Sequence, residues 1–120
     1  MAVINKELRN KIYNKYDGHC AYCGKEIKYE EMQIDHLIPK RQAEIGKISW
    51  EEVESENNLM PSCRKCNNYK RCHKIETFRE YIQRIPDKLL SVFIFKIGID
   101  YGLIEIKNKD VEFYYEKHNK

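Results

Sequence analysis

Two cysteine pairs, Cys20-Ala21-Tyr22-Cys23 and Cys63-Arg64-Lys65-Cys66, bracket a stretch containing Asp35-His36 and Asn58, and the second pair runs directly into Asn67. Two residues between thiols let both reach one ion from a single turn, and two such pairs complete a closed tetrahedron of sulfur. Cys20, Cys23, Cys63 and Cys66 are therefore read as ligands of a structural Zn2+, since a full set of four leaves no open position for catalysis. Asp35, His36 and Asn67 offer oxygen and imidazole instead, groups suited to a hard divalent cation and phosphodiester chemistry. The layout predicts a sulfur clamp holding up a second site of different chemistry.

The clamp has much to hold. The 39 residues between the two pairs exceed the spacing of a simple zinc ribbon, so the ion would tie together the ends of an inserted unit. Structural zinc contributes roughly 10 kcal/mol or more to folding in small domains. A chain of 120 residues is most economically one domain, with a modest core that such a staple would help. Five cysteines without a secretory signal read as metal ligands plus one spare thiol, Cys72, and not as a disulfide framework. No run approaches the roughly 20 apolar residues of a membrane span, and the chain is expected to be cytoplasmic, with no membrane partner.

Charge is informative locally. The net +3 is a weak argument for a polyanionic partner, but residues 64–74 carry five Lys/Arg and no acid. Arg64, Lys65, Lys70 and Arg71 are expected to contact DNA phosphates, giving salt-sensitive and largely sequence-independent binding. Glu51, Glu52, Glu54 and Glu56 form an acidic stretch that should keep away from DNA.

The elements that position these groups follow from periodicity and punctuation. Ile4, Leu8 and Ile12 at helical spacing, with Asn5 as cap and Asp17-Gly18 as stop, predict a helix over residues 5–16. Gly24 permits the turn after Cys23, and residues 32–36 alternate as a short strand ending in Asp35 and His36. Residues 40–57 read as a polar surface excursion with one helical turn opened by Ser49 and Glu52. Residues 59–61 make a second strand paired with the first, and residues 64–71 a helix beginning at the second knuckle.

Thr77 and Glu80 form a second capping box, for a helix that Pro86 ends. Residues 87–101, with Leu89, Phe93, Ile97 and Tyr101 four apart and Gly102 after them, predict one further helix. Residues 103–107 and 111–116, split by Asn108-Lys109-Asp110, read as a β-hairpin. The tyrosines and phenylalanines near the C-terminus read as core.

Ile34-Asp35-His36-Leu37-Ile38-Pro39, then Asn57-Asn58-Leu59-Met60-Pro61-Ser62-Cys63, then Cys66-Asn67-Asn68-Tyr69-Lys70 together resemble the HNH endonuclease family. The resemblance covers about residues 17–85, and IETFREYI looks like the helix that follows the motif in bacterial and phage members. It implies a ββα-metal (His-Me finger) core, which together with the four-cysteine zinc site, the flanking helices and the C-terminal hairpin read above makes the expected fold α+β. By the same resemblance His36 is the general base, a task an imidazole meets near neutrality without special tuning. Asp35 and Asn67 would hold a catalytic Mg2+ or Mn2+, making this a His-Asn-Asn variant. Asn58, counted with His36 in the catalytic machinery, would orient the loop and the imidazole by hydrogen bonds.

The expected activity is hydrolysis of DNA phosphodiester bonds, as a nick from one active site or a double-strand break from a homodimer. One rival is a zinc-stabilised DNA-binding or regulatory module that has the scaffold without catalysis. A second is an interaction protein docking through residues 87–116, for which exposed apolar surface there would be the indicator.

Overall fold

Helix α1, Lys6–Asn14, starts where the Asn5 side chain accepts the Leu8 amide at 2.8 Å, in a computed structural model that describes residues 4–119. Its inner face buries Ile12 completely. Two long cations on the same helix brace the segments leading into the sheet. Arg9 donates to the carbonyls of Tyr29 and Met32 at 2.6 and 3.0 Å, and Lys15 donates to those of Glu56, Asn57 and Leu59 at 3.0, 3.2 and 2.9 Å. Burial lowers the Lys15 pKa, and the charge of Glu56 opposes that shift.

The chain divides into two compact units, one of residues up to Ile75 together with those from Glu112 on, the other Glu76–Val111. The first contains the sheet, in which β1, Gln33–His36, pairs antiparallel with β2, Leu59–Ser62. Asp35 stands opposite Met60 and His36 opposite Leu59. Every residue of β2 is buried, and the Pro61 carbonyl turns away from β1 to accept the Ala21 amide at 2.9 Å. That bond seats the first cysteine knuckle on the sheet.

Between the strands the excursion is more structured than its polarity suggests. It holds α2, Lys40–Glu44, which the sequence reading missed, and α3, Trp50–Val53, whose Ser49 cap accepts the Glu52 amide at 3.1 Å as expected. Helix α4, Arg64–Lys70, begins at the second knuckle. The order β1, β2, α4 with four clustered cysteines is a mixed α/β arrangement consistent with a ββα-metal core.

Gly24 closes the first knuckle at φ 81°, and a Cβ there would lie 2.6 Å from the Tyr114 ring. That ring belongs to α8, Tyr114–His118, a helix where the sequence suggested a strand. The amides of Tyr114 and Tyr115 bond to the carbonyls of Tyr22 and Ala21 at 3.0 and 2.8 Å, and Glu116 accepts the Phe113 amide at 2.8 Å. Phe113 is buried, edge-on to Tyr22 with ring centroids 5.7 Å apart.

The second unit is helical. Helix α5, Ile75–Gln83, starts two residues before Thr77, so Thr77 and Glu80 are not its cap. The single helix expected over residues 87–101 is two, α6, Ile85–Leu89, and α7, Phe93–Asp100. Pro86 lies in the first turn of α6, where its missing N–H costs nothing. The break falls between Leu89 and Phe93 and contains Ser91, whose hydroxyl bonds the Lys88 carbonyl at 2.9 Å, and Val92, which is extended.

The C-terminal hairpin does not form. The amides of Leu103 and Ile104 both bond the Gly98 carbonyl, at 2.9 and 3.1 Å, and the Ile104 side chain fills the space a Cβ on Gly98 would need. Gln83 takes the Lys109 carbonyl at 2.6 Å and the Val111 amide at 2.8 Å. Each backbone group of the would-be hairpin named here has another partner, which decides the matter against strand propensity. Phe93, Ile94, Tyr101 and Leu103 remain 72–84 % exposed. No helix among the described residues is long and apolar enough to cross a membrane.

Candidate functional site

The four cysteine sulfurs converge as the spacing predicted. All lie within 4.8 Å of one another, and Cys23 Sγ and Cys63 Sγ are 3.8 Å apart. Zn–S bonds of about 2.3 Å give a tetrahedral edge of about 3.8 Å, so the cluster suits zinc. Cys20 is held at the deprotonated end: a hydrogen bond from Cys66 and backbone amides outweigh burial and bring its pKa down to about 4. That same bond to Cys20, then burial, pushes Cys66 up, while burial foremost raises Cys23. Four converging sulfur ligands are a chemical setting for a soft cation.

Asp35 is buried at the end of β1 and takes its partners from both knuckles. Tyr22, between the first pair of cysteines, donates its hydroxyl to Asp35 Oδ2 at 2.5 Å. Burial, then the charge of Asp35, push the Tyr22 pKa up, so the phenol stays a neutral donor. Lys70, on the helix that starts at the second pair, places Nζ 3.0 Å from the same oxygen and 3.0 Å from the His36 carbonyl.

The burial of Lys70 corrects the expectation that it contacts DNA. Its side chain has no solvent exposure, and its charge is spent on Asp35. The other three basic residues are exposed and line two different grooves. Arg64 and Lys65 line a groove of about 560 Å3 with Lys25, Cys63 and Asn68, whereas Arg71 lines a groove of about 440 Å3 with Asp35, His36 and Cys72. Arg71 ends α4 at φ 53°, ψ −131°, a conformation that favours glycine, and the His73 amide closes the turn onto the Lys70 carbonyl at 3.1 Å.

His36 lines the second of these grooves. Strand alternation gives Asp35 and His36 different faces, and the burial pattern follows it, yet both reach that groove. The imidazole Nε2 lies 3.0 Å from Glu54 Oε1, and among the described residues no hydrogen bond reaches Nδ1. Glu54 belongs to the acidic stretch that sequence reasoning kept away from DNA. No local pattern marks it, because eighteen residues separate it from His36.

Asn58 is buried and braces the loop that follows His36. Its Oδ1 accepts the Ile38 amide at 2.8 Å, and its Nδ2 donates to the carbonyls of Ile38 and Val53 at 3.0 and 2.8 Å. These bonds run to the loop after His36 and to Val53, and the hydrogen bond of the imidazole is with Glu54. Asn67 is half-buried in α4, three residues before Lys70 and so on the same helix face. Both hydrogen-bonding partners of Asp35 fall on Oδ2, which leaves Oδ1 without a hydrogen bond among the described residues.

The HNH endonuclease family model matches residues 20–71, running from the first cysteine to Arg71. The match takes in both cysteine pairs together with Asp35, His36, Asn58 and Asn67. Residues 20–71 are thus similar to the HNH endonuclease family, and the four-cysteine site lies within that stretch. No curated protein matches the chain.

Proposed function

We propose that the protein is a metal-dependent endonuclease that hydrolyses DNA phosphodiester bonds. The observation that carries this reading is the placement of His36 at the end of β1, in an open groove shared with Asp35 and Arg71. His36 acts as the general base. Nε2 is engaged by Glu54, so Nδ1 is the nitrogen left to take a proton from the attacking water. Arg71 supplies a guanidinium to the phosphate, and Arg64 and Lys65 hold the backbone further along.

Asp35, through Oδ1, and Asn67 would hold the catalytic Mg2+ or Mn2+, and zinc would sit on the four cysteines. A divalent ion at such a site supplies positive charge to the scissile phosphate and the leaving oxygen. Asn58 keeps the loop after His36 in place. One observation favours a second reading, a zinc-stabilised DNA-binding module without catalysis: the Lys70 ammonium already compensates Asp35.

Supercoiled plasmid separates the two. The nuclease converts it to nicked circles when Mg2+ or Mn2+ is added, and EDTA stops the reaction. Retarded plasmid with no nicking under any divalent ion supports the binding module and overturns the nuclease.

A further inference from the structure

We propose that Glu54 is a positioning residue for His36, a role that rests on the nuclease reading above. Its Oε1 lies 3.0 Å from His36 Nε2, with the two side chains only 14 % and 16 % exposed. An ionised carboxylate only accepts hydrogen bonds, so the contact places the ring proton on Nε2 and leaves the Nδ1 lone pair for the water. It also fixes the plane of the ring.

Glu54 is held for this work. It caps the end of α3, with its amide on the Trp50 carbonyl at 3.0 Å, and its neighbour Val53 is completely buried. The Val53 carbonyl in turn accepts Asn58 Nδ2 at 2.8 Å. Asn58 therefore braces His36 from two directions: through Ile38, just after it in the chain, and through the turn that carries Glu54. Glu51, Glu52 and Glu56 stay exposed, so of the acidic stretch only Glu54 is folded back onto the base. The excursion between the strands becomes part of the catalytic apparatus.

Two readouts on the zinc-loaded protein test this. The first is the imidazole 1H–15N spectrum at about pH 8 without DNA or added divalent ion, with the His36 signals assigned by His36→Ala. The expected result is a proton on Nε2 in the wild type and a mixture of tautomers in Glu54→Ala. The second is nicking kinetics. Glu54→Ala should lower kcat roughly 10- to 100-fold with KM for DNA changed less than about twofold. Glu54→Gln, whose amide oxygen still accepts, should recover most of that loss.

A wild-type His36 protonated only on Nδ1 overturns the proposal without recourse to any variant. So does a Glu54→Ala protein with unchanged tautomer and kcat. A nuclease indifferent to Glu54 sinks this role alone, whereas a tautomer that responds to Glu54 in a protein that cuts nothing sinks the nuclease reading and the role with it.

Discussion

The Tyr22 hydroxyl donates to Asp35 at 2.5 Å, linking a residue enclosed by the first cysteine pair to a carboxylate at the end of β1. Lys70, four residues after Cys66, approaches the same oxygen at 3.0 Å. The first knuckle and the helix that starts at the second thus each contribute one side chain to Asp35. The sulfur clamp and the oxygen-bearing site are mechanically one construction.

Removing zinc should dismantle both. Chelation, or Cys63→Ser, is expected to abolish cooperative unfolding of the cysteine-bearing unit, on the scale of the roughly 10 kcal/mol that structural zinc supplies. Near-ultraviolet circular dichroism during titration with a chelator reads this. Retention of a sharp thermal transition in the zinc-free protein would show that the clamp is dispensable.

Lys70→Met should be costly because it strands a buried carboxylate, by about 3–5 kcal/mol. Adding Asp35→Asn should return more than half of that loss, as judged by urea unfolding. Since Lys70 is not at the surface, the salt dependence of DNA affinity should not change in the single variant. A shallower salt slope would put the ammonium on phosphate after all.

Arg64→Ala and Lys65→Ala should each weaken DNA binding uniformly across sequences and flatten the plot of log affinity against log salt by about 0.9. Arg71→Gly should behave differently. It relieves the backbone at φ 53°, stabilising the fold by about 1 kcal/mol, while still weakening DNA binding. A destabilised Arg71→Gly protein would contradict the strain assigned to that turn.

Alkaline stability should reflect the buried phenol of Tyr16, whose pKa burial raises against the opposing hydrogen bond of Asn119. Below about pH 10 the residue is protonated in both folded and unfolded chains and adds no pH dependence. Above it the unfolded chain loses the proton first, so it binds fewer protons and stability falls as pH rises. Urea unfolding from pH 8 to 11 should show that fall, and Tyr16→Phe should make it shallower. An equal slope in the variant would assign the effect elsewhere.

What could be read from the sequence was local. Asn5 and Ser49 reach amides three residues away, and two-residue cysteine spacing fits one turn, so caps and clamp follow from short patterns. Lys70 was misplaced because a charge run does not reveal a helix face. The signal was nonetheless present: Cys66 and Asn67 precede Lys70 by four and three residues, which puts it on the inward side of α4. Glu54 carried no such signal, since only folding of the excursion brings it to His36. The hairpin failed because its backbone groups found other partners: Gly98 just before it, and Gln83 and the carbonyls of Ala21 and Tyr22 far away in sequence.

Single-turnover nicking of supercoiled plasmid by wild type and His36→Ala, at equal DNA occupancy and equal zinc content, tests the central claim most directly. The account predicts nicked circles that accumulate with Mg2+ or Mn2+ in the wild type, and a rate at least about 100-fold lower in His36→Ala. A wild-type protein that cuts with no divalent ion, or a His36→Ala protein that cuts as fast, would contradict it.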